Sequence, residues 1–140
     1  MAYKLEFQEV FSVEDCEANP HKLYIFGDNL LRKGSGPGSG QAVIRHCQNA
    51  HGIATKREPN NMPYAFFSDK EDEFAAVESD FLSLLEKADD YSVIVLPQAG
   101  LGTGRAKLQD KSPGIHAYIA EWMGYIRIIA TLAILEGKIR

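Results

Sequence analysis

The stretch Val93-Ile-Val-Leu-Pro-Gln-Ala-Gly-Leu-Gly-Thr-Gly104 carries a β-branched apolar run that stops at Pro97 and gives way to a loop rich in glycine. The run predicts a buried strand. Glycine at 100, 102 and 104 allows positive φ and leaves no Cβ between a ligand and the loop amides. In an open α/β sheet, ligands collect beyond the carboxyl ends of strands, where this loop would sit. An ordinary glycine-rich turn would read the same way, so the loop needs a second observation to carry a function.

Leu23-Tyr-Ile-Phe26 supplies it: a second strand-like run, followed by Gly27-Asp28-Asn29 and then by Gly34-Ser-Gly-Pro-Gly-Ser-Gly40. Two strands therefore end in glycine-rich loops. Side by side in one sheet, their loops would close over one elongated ligand from two sides.

Outward from these stretches the pattern is α/β. Leu5 and Phe7 alternate as a first strand, and Ser12 with Asp15 three residues on predicts a capped short helix ending before Pro20. Residues 41–49 predict a helix with Ala42, Ile44 and Cys47 on its apolar face, its N-terminus aimed at whatever the first loop holds. Residues 52–56 read as a strand, and residues 64–67 as either a strand or a buried aromatic anchor. Ser68 with Glu71 predicts a capping box for a helix to about Ala88, with Phe74, Val77, Phe81, Leu84 and Leu85 on one face. Residues 107–111 read as connection. Ser112 then caps a closing helix with Pro113 in its first turn and Ile115, Tyr118, Ile119 and Trp122 on one side. Gly124 either kinks or ends it, and residues 125–129 fit helix or strand. One domain over residues 1–140 follows, with helices on both faces of a mixed, mostly parallel sheet.

The net charge of −4 argues against general nucleic-acid binding, so any phosphate must be held by local groups. Two cysteines, Cys16 and Cys47, show no metal-ligand spacing and suit a reducing, cytoplasmic setting. The N-terminus carries charges where a signal peptide needs an apolar core, and the apolar run 123–135, interrupted by Arg127, falls short of the roughly 20 residues of a membrane span. A helix packed on the core is expected there. No histidine or cysteine pattern calls for a metal, and no Walker ending or full dinucleotide fingerprint calls for a cofactor.

Asp28 and Asn29 follow a strand directly and can serve a turn or hydrogen-bond a sugar or base. Lys56 and Arg57 close another strand, where a pyrophosphate would need cations. The residues expected to line the crevice are Gly27, Gly36, Gly38, Gly40, Gln41 and Lys56 on one side, and Gln98, Gly100, Leu101, Gly102, Thr103 and Gly104 on the other.

Residues 29–44, Asn-Leu-Leu-Arg-Lys-Gly-Ser-Gly-Pro-Gly-Ser-Gly-Gln-Ala-Val-Ile, resemble the macrodomain run from an asparagine through a glycine-rich loop to a helix start. Residues 93–104 resemble the macrodomain strand, proline and phosphate loop, and the likeness is strongest to small macro-like proteins of bacteria and phages with Phe-Gly-Asp-Asn and Gly-Thr-Gly. The resemblance covers about a third of the chain. It implies a three-layer α/β/α sandwich and an ADP-ribose-like ligand, with Asn29 facing the distal ribose, Gly36, Gly38 and Gly40 passing close to that ribose and the diphosphate, and residues 100–104 cradling phosphate. The usual double asparagine is Gly27-Asp28-Asn29 here, Pro37 interrupts the loop, and the Gly-Asp-Ile segment that holds adenine in many macrodomains has no counterpart. Three readings stay open. The first is a hydrolase of ADP-ribosyl or terminal phosphate bonds, with Asn29 orienting ribose and Asp28 polarising water. The second is a non-catalytic nucleotide-binding or sequestering module, and the third a structural domain.

Overall fold

The computed structural model describes residues 2–137. Four strands, β1 (Lys4–Gln8), β2 (Lys22–Asn29), β3 (Ala50–Lys56) and β4 (Val93–Pro97), form one sheet in the order β1-β4-β2-β3. All three pairings are parallel. The expected mixed sheet is therefore a parallel one, and outside it the described residues carry an isolated antiparallel bridge between Lys56 and Phe66.

Side chains alternate across β2 and sort the core into two layers. Leu23 and Ile25 join Ile94, Leu96 and the apolar stripes of α2 (Glu71–Ala88) and α4 (Pro113–Leu135). Tyr24 and Phe26 point the other way, to Cys16 of α1 (Val13–Ala18) and to Ala42 and Ile44. Both faces of the sheet are thus covered, heavily by α2 and α4 and thinly by α1 and a 3-10 turn.

That 3-10 turn, Gly40–Ile44, stands where an α-helix over residues 41–49 was expected. Its short apolar face, Ala42 and Ile44, is buried as predicted, but the guanidinium of Arg45 turns back to the carbonyls of Gly34 and Lys33. The chain then re-enters the sheet at Ala50.

The expected caps also differ. Ser12 accepts from the amide of Asp15 as predicted. Ser68 does not cap α2; instead the fully buried Glu73 accepts from the amides of Ser68 and Lys70 and pairs with Arg57 Nε at 2.7 Å. Ser112 precedes Pro113 without capping α4. Asp69, held at φ 60°, accepts from Gly114 and Ile115 amides and from Ser112 Oγ, so one loop's carboxylate caps a helix 45 residues away. Residues 63–65 form a 3-10 turn with Phe67 fully buried, which makes this segment the aromatic anchor rather than a strand. Within the expected connection 107–111, Leu108–Lys111 forms a helical turn, α3, that buries Leu108.

Gly124 does not end α4, and residues 125–129 continue as helix. The 23-residue helix is long and apolar enough, by length and composition, to cross a membrane. One side, Ile115, Ile119, Ile126, Ala130 and Ala133, is buried, while Tyr125, Ile128, Leu132 and Leu135 are exposed. The expected packed helix is therefore packed along one stripe only.

Candidate functional site

Strands β2 and β4 are neighbours, yet the chain leaves them toward opposite faces: from β2 to the 3-10 turn, from β4 to α3 and α4. Such a point, where connections diverge, opens a crevice at the carboxyl end of the sheet. Here the opening starts early. The β2–β4 register covers only Lys22–Tyr24 against Val93–Val95, and beyond it the amide of Gly27 is satisfied by a side chain, Gln41 Oε1 at 2.8 Å. Gln41 Nε2 reaches on to the carbonyl of Gly100 at 3.4 Å, so one glutamine ties the two loops across the gap.

A cleft of about 650 Å³ lies there. Of the residues expected to line it, Gly27, Asp28, Asn29, Gly38, Gly40, Gln41, Lys56, Gly102 and Gly104 do so. Gly36, Gln98, Gly100, Leu101 and Thr103 are not part of its wall. Leu101 is buried in the core, and Thr103 turns its hydroxyl to the carbonyl of Ala99 at 2.6 Å. Gln98 is exposed, its amide bonded to the Gln8 carbonyl. The sequence reading missed Lys33, Thr55, Asn60, Asn61 and Arg105. Arg105 was the most accessible of these, a cation directly after the glycine loop.

Gly102 has a different reason from the one the loop suggests. At φ 74°, a Cβ there would run into Leu108 Cδ1 and come within 2.8 Å of Leu108 Cγ and 3.1 Å of Thr55 Cβ. The glycine is required by packing on the α3 turn. Gly104, by contrast, has nothing within 4 Å of where a Cβ would point.

Asp28 does not stand free at the cleft. Its Oδ1 accepts from the Asn29 amide at 2.7 Å and pairs with Arg45 at 2.7 Å, and its Oδ2 pairs with Arg32 at 3.2 Å. Arg32 in turn forms a two-pronged pair with Asp80 of α2. Gly52 on β3 makes room for this carboxylate, since a Cβ there would lie 2.6 Å from Asp28 Oδ2. Asn29 is likewise engaged: its Nδ2 donates to the Lys33 carbonyl at 2.8 Å, shaping the start of the first loop.

The cations facing the cleft are arranged differently. Among the described residues, Lys33, Lys56 and Arg105 form no ion pair. Arg105 Nη1 donates to the carbonyl of Gly38, clasping the two glycine loops together. Lys56 Nζ donates to the carbonyl of Asn60 at 2.5 Å, and its pKa is held below the usual lysine value by burial and by repulsion from Arg105 and Lys107. Both causes act against the charged form of the lysine. Arg57, also expected as a phosphate ligand, is spent on Asp72 and Glu73.

The cleft therefore lies where β2 and β4 part at the carboxyl end of a parallel sheet, with Lys33, Lys56 and Arg105 in its lining. The family model described as a family of unknown function (DUF7831) matches residues 6–122, and the chain belongs to that family. The match spans every residue lining the cleft. No curated protein and no solved structure matches the chain.

Proposed function

We propose that this chain binds a diphosphate-bearing nucleotide of the ADP-ribose type in the cleft between its two glycine-rich loops, as a macrodomain-like module that reads or sequesters it. The observation that carries the reading is the imbalance of charge in the cleft. Lys33, Lys56 and Arg105 face it without carboxylate partners, while its one carboxylate, Asp28, is neutralised by two arginines. In a protein of net charge −4, three such cations gathered at one crevice are suited to phosphate, for which charge-assisted hydrogen bonds are about twice as strong as neutral ones. The glycine loops, the asparagine ending β2 and the proline ending β4 support the ADP-ribose class through their resemblance to macrodomains.

Binding without turnover is the better-supported half of this reading. A hydrolase needs a base within reach of its water, and both Asp28 oxygens are already engaged. The test is calorimetric titration with ADP-ribose, followed by chromatography of the mixture after incubation. Ligand at about 100 times its dissociation constant adds about 2.7 kcal/mol of stability. Arg105→Ala, removing a charge-assisted bond of about 1.5–3 kcal/mol, weakens binding at least tenfold. No heat and no thermal shift with ADP-ribose, its terminal phosphate ester or NAD would overturn the proposal, and released products would make the protein an enzyme.

A further inference from the structure

A second cavity, of about 470 Å³, lies beside the first and shares a wall with it. The wall is the pair Lys56 and Phe66: the ammonium that faces the phosphate cleft stands 4.8 Å from the centre of the Phe66 ring, and that ring lines the second cavity. Lys111 Nζ lies 5.3 Å from the same ring and also lines this cavity.

The feature that the fold itself does not use is Tyr64. It sits on the 3-10 turn Pro63–Ala65, directly before the fully buried Ala65 and three residues before the fully buried Phe67, yet it is 57% exposed. Its backbone is fixed all the same. The amide of Arg57 donates to the carbonyl of Ala65 at 2.8 Å, and Phe66 bridges to Lys56 at the end of β3. A tyrosine presented on a held backbone is a flat apolar platform that loses little entropy when a ring stacks on it. At the edge of the same cavity is Glu58, whose one hydrogen-bond partner among the described residues is the Asn60 side-chain amide at a long 3.4 Å, so its carboxylate has acceptor capacity to spare. Lys70 and Lys111 complete a rim without an ion pair among the described residues.

We propose that this second cavity seats the base end of the nucleotide, a ring bearing an exocyclic amino group that stacks on Tyr64 and donates to Glu58, while its phosphates cross the Lys56–Phe66 wall into the first cleft. The proposal rests on the reading of that cleft as a phosphate site. It assigns the base recognition for which the chain carries no Gly-Asp-Ile segment.

The test uses the intact chain and separates the two cavities by choice of probe. Inorganic pyrophosphate reports the first cleft alone, ADP-ribose reports both, and ADP against IDP, which lacks the exocyclic amine, reports Glu58. Tyr64→Ala weakens ADP-ribose binding by roughly tenfold, from the scale of base–aromatic stacking, and leaves pyrophosphate binding unchanged. Tyr64→Phe restores it, and Glu58→Gln erases a preference for ADP over IDP. Thermal unfolding confirms that each variant is folded, as the exposure of Tyr64 leads one to expect. Pyrophosphate binding with ADP-ribose affinity indifferent to Tyr64→Ala overturns the base site alone. Failure of the wild-type chain to bind either probe overturns the phosphate cleft and the base site together.

Discussion

Two groups of charges meet at the first cleft, and they are built in opposite ways. Beneath it, Arg45, Asp28, Arg32 and Asp80 form a closed chain of two cations and two anions that joins the 3-10 turn, β2, the first loop and α2. Facing it, Lys33, Lys56 and Arg105 form no ion pair among the described residues, and Lys56 and Arg105 are held by carbonyl, amide and aromatic groups. The first group is complete and holds the loops in place. The second lacks an anion, and that shortage is the part of the molecule that a ligand can complete. A polar residue close to a cleft is therefore not by that fact a reactive one; what matters is whether its bonds are already taken.

The strongest way to break this contrast is Asp28→Asn. It leaves Arg45, only 9% exposed, without its carboxylate, and unpairing a charge so buried costs about 3–5 kcal/mol. Urea unfolding measures it. A variant of wild-type stability that loses an activity instead would return Asp28 to the role of a general base.

Gly102→Val comes next. Overpacking against Leu108 and the left-handed backbone together cost about 3 kcal/mol, so loss of ligand binding is accompanied by loss of fold. The sequence explained Gly102 by the approach of a ligand to the loop amides; the contact with Leu108 gives it a packing role instead. Gly104→Ala sharpens the point: with open space at its Cβ, its stability stays within about 0.5 kcal/mol of wild type, and only ADP-ribose affinity falls. Equal stability for the two variants would show that both glycines serve the ligand alone.

The smallest effect is a pH dependence at the closed group. His51 Nε2 lies 2.8 Å from the Asp80 carbonyl, and its pKa is held below the ordinary value near 6.5 chiefly by burial, which outweighs the raising effect of Asp80, with Lys87 and Arg32 adding repulsion. The unfolded chain therefore takes up a proton before the folded one does. Stability falls as pH drops below about 6.5, and His51→Gln flattens that part of the profile. An unchanged profile in the variant would remove His51 from the group.

How far these features could be read in advance follows their range along the chain. The two strands that end in glycine-rich loops, the Ser12 cap and the apolar face of α2 are set by neighbours within a few residues, and they stand where the sequence puts them. The cap of α4 depends on Asp69 from another loop, and the partners of Arg32 are 4 and 48 residues away. No local pattern contains such pairs.

The sequence by itself determined that two apolar strands end in glycine-rich loops, because strand periodicity and backbone freedom are properties of consecutive residues. It also determined that aspartate, asparagine and lysine would stand at the carboxyl ends of strands. Only the tertiary structure decided that β2 and β4 lie side by side with their exits on opposite faces, which makes a cleft of those loops. It alone decided which charges are spent and which are free, because an ion pair is fixed by distance in space, and Asp28, Arg45 and Arg57 reach their partners only once the sheet and its helices have packed.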